Sequence, residues 1–267
     1  MRDAARLYVR YISASMRSQM QYRASFVFQT IGQFLICGID FVAIWALFAR
    51  FGGLKGWSLP EVALFYGMVH TAFAVTDAAS RGFDHFPHMV KHGEFDRMLL
   101  RPRSTAFQLA AYTLELRRVG RFGQGFAVLV YALCAVEVEI TAAKLALILF
   151  AMAGSFCMFY GLLVLQATAA FWTTESLELM NTVTYGGTET GSYPLSIYHD
   201  WFRKFFTFVV PLACVNYYPA LAVLDRAEPG GFVATFGWYS PAVGLAFLLV
   251  SLRVWKLGVR HYRSTGS

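Results

Sequence analysis

The stretch VKHGEFDRMLLRPRS (residues 90–104) decides how the chain is read. It carries two acids, Glu94 and Asp96, four Arg/Lys (Lys91, Arg97, Arg101, Arg103), a glycine and a proline. Long apolar runs flank it. Of 267 residues, 57% are hydrophobic and 15% charged, where a soluble domain has about 25% charged residues. The 25 Phe, 6 Trp and 14 Tyr suit a bilayer, whose interfaces anchor Trp and Tyr. These features predict a single all-α integral membrane domain over residues 1–267, with no room for a second, soluble catalytic domain.

Working outward, residues 1–23 read as an amphipathic helix. Arg2, Arg6, Arg10 and Arg17 share one face, and Ala5, Tyr8, Ile12, Met16 and Met20 another. A basic face over an apolar face describes a helix lying in the membrane interface. Spans follow at 24–49 and 60–79, long enough for about 30 Å of hydrocarbon. The polar coupling region 80–121 comes next, then spans at 122–138 and 143–172, and a last one at 232–257. Between 173 and 231 two readings compete. In one, the apolar run 201–218 is the fifth span. In the other, the polar piece 175–192 is a pore-facing fifth span, and 197–224 forms two short re-entrant helices broken by Pro211 and Pro219.

Charge orients the chain. Five Arg/Lys lie in 1–23, eight in 81–121 and four in the tail, against four in the alternate loops: Arg50, Lys55, Lys144 and Arg226. The positive-inside rule then makes both termini and the opening stretch cytoplasmic, with an even number of spans; six fits best. The net charge of +7 does not imply nucleic acid, because the basic residues flank apolar runs and form no continuous face. Cys37, Cys134, Cys157 and Cys214 read as small buried hydrophobes.

The chain has no Gly-Lys pair and so no P-loop, and no HExxH, CxxC or GxSxG. No enzyme chemistry is expected of it. His85, His88 and His92 share a helical face with the spacing of metal ligands. The phenylalanines and Met89 among them suit docking onto a protein better. Polar residues inside spans are costly and call for a reason. Gln29, Gln33 and Asp40 share a face of the first span, and Tyr66, His70 and Asp77 one of the second. They either glue helices together or line a translocation path. An Asp–His set also fits a self-contained proton-coupled secondary transporter, which is the alternative reading.

GEFDRMLLRP (93–102), placed after two spans, resembles the cytoplasmic loop of membrane (permease) subunits of bacterial type-2 ABC exporters, a G-x-[FL]-[DE]-x-[LM]-L-x-x-P run behind a short coupling helix. The ending WKLGVRHYRSTGS and the run SYPLSIYHDWFRKFFTFVVPLACVNYYPALAVL are similar to one bacterial subgroup. The resemblance covers essentially the whole chain. It implies six spans in the bacterial inner membrane and export driven by a separate ATP-binding subunit that carries ATP and Mg. It also implies a second membrane subunit, a paralogue or a copy of this chain. It favours 175–192 as span five, with Glu178, Thr182 and Glu189 facing the path beside Gln33, Asp40, His70 and Asp77. The coupling helix is expected at 82–91, with Phe83, Phe86 and Met89 entering the partner's groove. Gly93, Glu94, Asp96 and Arg97 form a charged hinge behind it. Arg101 and Pro102 stop the next turn, since a residue before proline avoids the α region.

Overall fold

The computed structural model describes residues 2–173, 177–226 and 235–262; among these the regular structure is all helical, without a strand. Helix α1 (Arg2–Gln19) leads through one tight turn into α2 (Arg23–Phe51), and α3 (Leu59–Ala79) returns. Three short helices follow at one end of the bundle: α4 (Arg81–Lys91), α5 (Glu94–Leu99) and α6 (Thr105–Ala110). Then come α7 (Val119–Ala135), α8 (Ala142–Ala169), α9 (Leu177–Gly191), the short α10 (Asp200–Lys204), α11 (Tyr218–Val223) and α12 (Phe236–Tyr239), and finally α13 (Ala242–His261).

Local chemistry starts these helices where they start. Ser58 and Glu61 form a capping box on α3, with the Ser58 amide donating to Glu61 at 2.8 Å. The Thr141 hydroxyl accepts from the Lys144 amide at the head of α8. Gly93 has φ +68°, a left-handed conformation that glycine adopts without a Cβ penalty, and the chain turns there from α4 into α5. Gly154 on α8 and Gly244 on α13 meet backbone to backbone, leaving no space for a side chain on Gly244. Such contacts let membrane helices pack closely.

Among the described residues, four helices are long and apolar enough to cross a membrane: 8–51, taken as one run, then α3, α8 and α13. This differs from the expected six. At 17 and 15 residues, α7 and α9 fall short of the roughly 20 apolar residues a span usually needs. The straight span across 201–218 is also corrected. Asp200–Val209 and Ala213–Val223 are two helical pieces bent by 85° about Pro211. The segment also leaves and rejoins the bundle at the same end. Lys55 donates to the Ile197 carbonyl at 3.0 Å, and the Trp57 indole to Ser196 at 3.2 Å. Arg226, beyond α11, donates to the Gly56 carbonyl of the same loop and pairs with Glu61 at 2.7 Å. The polar piece that precedes it is helical over α9.

The core lies around α3, the most enclosed helix, packed on α7, α8 and α9. Polar side chains tie it in. The Tyr66 hydroxyl donates to the Cys37 carbonyl of α2 at 3.0 Å and reaches Gln124 of α7. Cys37 and Cys214 are buried as expected, but Cys134 is exposed and Cys157 only half-buried.

Candidate functional site

Two arrangements bring the singled-out residues together. The first sits at the end of the bundle that holds α4–α6. Phe83, Phe86 and Met89 recur every third residue and define one face of α4. That face is turned into the chain itself: the three are 1%, 0% and 3% exposed. This corrects the expectation that they enter a partner's groove. Their own α13 fills the place, with the Phe86 ring 4.8 Å from that of Trp255 and the Phe83 ring at 5.6 Å, both edge-on. Phe95 of α5 closes on Phe86 at 4.9 Å, and Phe171, just past α8, on Phe86 at 5.1 Å. Tyr262 stands 5.0 Å from Phe95. The Trp255 indole donates to Thr105 of α6 at 3.0 Å, so its polar edge is satisfied. Phe95 of the run 93–102 and Trp255 and Tyr262 of the tail, distant in sequence, therefore meet in one aromatic cluster.

The charged residues of the run 93–102 lie next in sequence to Phe95 of that cluster. Asp96 faces Tyr262; burial first, and then this carboxylate, push the phenol up to about 12. Glu94, Arg97, Arg101 and Pro102 are exposed. With Arg103 they border a groove of about 700 Å³ whose floor includes Met98, Phe107 and Ala111. The outward face of α4 carries His85, His88, Lys91 and His92, and the rings of His88 and His92 stack at 3.9 Å. Leu100, just past α5, is 87% exposed.

An ion network anchors this end to the bundle. Arg81 pairs with Asp84 and with Glu115, each at 2.9 Å. Arg118 joins Glu115 at 3.1 Å to Asp77 at 3.0 Å, and Arg121 approaches Asp77 at 3.5 Å. Burial alone would raise Glu115, but the hydrogen bond from Arg117 and the charges of Arg81 and Arg118 outweigh it and hold the carboxyl below its usual value. Asp84 moves the other way, because burial outweighs Arg81. Asp77 is thus held by two arginines at 1% exposure, which is a clamp and not an open path. Its partners Arg118 and Arg121 went unread in the sequence, since they lie on another helix and look there like ordinary flanking charges.

The second arrangement runs along α2 and α9. His70 is buried, stacked on Tyr66 at 3.9 Å and 3.0 Å from the Ser192 hydroxyl. Its place is between helices. Asp40, Thr182 and Glu189 are exposed, and Asp40 and Glu189 lie close enough to act on one another electrostatically. Gln33 is half-buried and reaches Cys37 at 3.4 Å. The Glu178 side chain lies outside the described residues.

An all-helical bundle with several membrane-length helices fits a multi-pass membrane protein. The chain belongs to the ABC-2 transporter family: the family model described as "ABC-2 family transporter protein" matches residues 34–266. Comparison with curated proteins and with solved structures gave no match.

Proposed function

We propose that the chain is the transmembrane subunit of an ATP-driven exporter, forming half of a translocation pathway and driven by a separate ATP-binding subunit. The observation that carries this reading is the aromatic joint. A segment with an exposed, charged outer face is packed through Phe86 and Phe95 onto Trp255 of α13 and Phe171 beyond α8. A push on that outer face moves two long helices as one rigid body. The chain has no P-loop of its own, so the push comes from outside.

In this reading the aromatic joint faces the cytoplasm of a bacterial inner membrane, both termini lie on that side, and α1 rests in the interface. Six helices cross: α2, α3, α7, α8, α9 and α13. The bent pair Asp200–Val209 and Ala213–Val223 enters from the outer side and returns, as its ties to the 52–61 loop support. A short, partly polar α9 crosses where it lines a cavity. Asp40, Glu189, Thr182 and Gln33 face the path, and the two carboxylates favour a cationic or polar group in transit. His70 and Asp77 stand behind that face and hold it. A second membrane subunit, copy or paralogue, completes the pathway.

The contact with the ATP-binding subunit falls on His85, His88, Lys91 and Leu100, with Arg97 and Arg101, and not on the buried phenylalanines. Glutamate at Leu100 or His88 is expected to leave thermal stability unchanged and to abolish both co-purification with the ATP-binding subunit and stimulation of its ATPase. Undiminished stimulation in both variants overturns the assignment.

A further inference from the structure

A second cavity, which shares Arg103 and Phe107 with the groove above, lies between α6, α8 and α13, with a volume of about 830 Å³. Its walls are apolar, formed by Ala106, Tyr160, Leu249, Leu252 and Val259. Its rim carries four cations: Arg103, Arg253, Lys256 and Arg260. No acid lines it, and none of the four makes an ion pair among the described residues. Arg81, Arg118, Arg121, Lys144 and Arg226, by contrast, each find a carboxylate.

The three cations of α13 follow one another at spacings of three and four, which stacks them on one helical face over roughly 10 Å of rise. Just before them on the same helix, Leu245, Leu249 and Val250 are each more than half exposed. An exposed apolar belt that passes directly into unpaired long basic side chains marks the level where hydrocarbon gives way to headgroups, with the stems lying along apolar surface and the charges reaching the phosphates. Trp255, which is 2% exposed and bonded to Thr105, holds α6 and α13 at a fixed separation, so the cavity between them is part of the fold.

We propose that this cavity binds an anionic phospholipid of the leaflet that contacts α4–α6. The glycerol and upper acyl carbons enter the apolar cleft, and the phosphate is received by Arg253 and Lys256, flanked by Arg103 and Arg260. Basic pockets between membrane helices have this chemistry. Each cation near an anionic surface favours binding roughly fivefold, so a lipid with a net negative headgroup is selected over a zwitterion of the same chain length. The inference rests on the membrane placement above and is independent of coupling to an ATP-binding subunit.

The test uses the full chain in detergent, offered phosphatidylglycerol and phosphatidylcholine with identical acyl chains, and counts retained lipid by native mass spectrometry. The expected result is a phosphatidylglycerol preference of about tenfold or more. In R253Q/K256Q that preference falls to near unity while the melting temperature stays within a degree or two of wild type. The variant R203Q/K204Q, at the far end, keeps the preference. If R253Q/K256Q folds poorly, R253K/K256R, which conserves charge, is expected to keep the preference and serves in its place against A106W, which fills the cleft and removes retained lipid of both kinds. Equal retention of the two lipids by wild type overturns the proposal. So does inorganic phosphate that displaces the lipid at millimolar concentration, since the site then reads a phosphate and not a lipid. Loss of the ATP-binding subunit from R253Q/K256Q with lipid retention unchanged assigns the face to a protein partner and overturns it as well.

Discussion

α2 and α3 are consecutive antiparallel helices, yet their surroundings differ sharply. In α3, 83% of the most apolar 18-residue stretch is buried inside the chain; in the run 8–51 that contains α2, 17% is. The less buried helix is the more apolar one. α2 turns Phe28, Ile36, Ile39 and Val42 outward, while α3 hides Tyr66, His70, Thr71, Thr76 and Asp77. In water the order would be reversed. Lipid accepts apolar surface without cost, so hydrophobicity gives a helix no reason to be inside. What draws α3 inside is the need of its polar groups for partners, which only other helices supply.

The sharpest way to break this comparison is to remove a polar partner from each helix. Asp77→Ala takes the carboxylate from Arg121, while Arg118 keeps Glu115, and a loss of about 3 kcal/mol is expected from the broken, mostly buried pair. Asp40→Ala, on exposed α2, is expected to change stability by less than about 0.5 kcal/mol. Thermal or denaturant unfolding in one detergent compares the two, and equal losses end the distinction. A smaller contrast separates His70 from Gln33. His70→Ala leaves the Ser192 hydroxyl without its ring partner and opens space against Tyr66, for an expected loss of about 1–3 kcal/mol. Gln33→Ala costs a few tenths at most; the same melts decide it. The smallest effect sharpens the role of the ion network at the base of α3. Glu115 titrates below its ordinary value of 4.5 in the folded chain. Its stabilisation is therefore full above that value and is lost as pH falls through the lower folded one. Glu115→Gln is expected to lower stability at neutral pH and to flatten its decline at acid pH. Asp84, displaced upward, is present in both proteins and cancels from the difference.

The helices were legible because spans and amphipathic faces are properties of spacing. Phe83, Phe86 and Met89 were correctly placed on one face of one helix. Which way that face looks was not legible: an apolar stripe fits a partner's groove and the chain's own core equally well, and the choice was made by Trp255, far along the sequence. Asp77 fails in the same manner. Sequence shows a carboxylate in a span, whereas the arginines that neutralise it sit at the far end of the polar region that follows. The run 201–218 misled for a different reason. Hydropathy sums composition and does not register that Pro211 lets the chain turn by 85°. The competing reading rested on the prolines, and the hydrogen bonds from Lys55, Trp57 and Arg226 agree with it.

The aromatic joint also sets an order of events. Phe83 and Phe86 leave the ribosome long before Trp255, and at ordinary rates of synthesis the interval is on the order of ten seconds. Throughout that time the inner face of α4 lacks Trp255 and has only Phe95 and, later, Tyr160 and Phe171 to pack on. A nascent chain whose α13 is missing or misinserted keeps that face open to proteases and chaperones, so closure of the joint reports that the final helix has arrived.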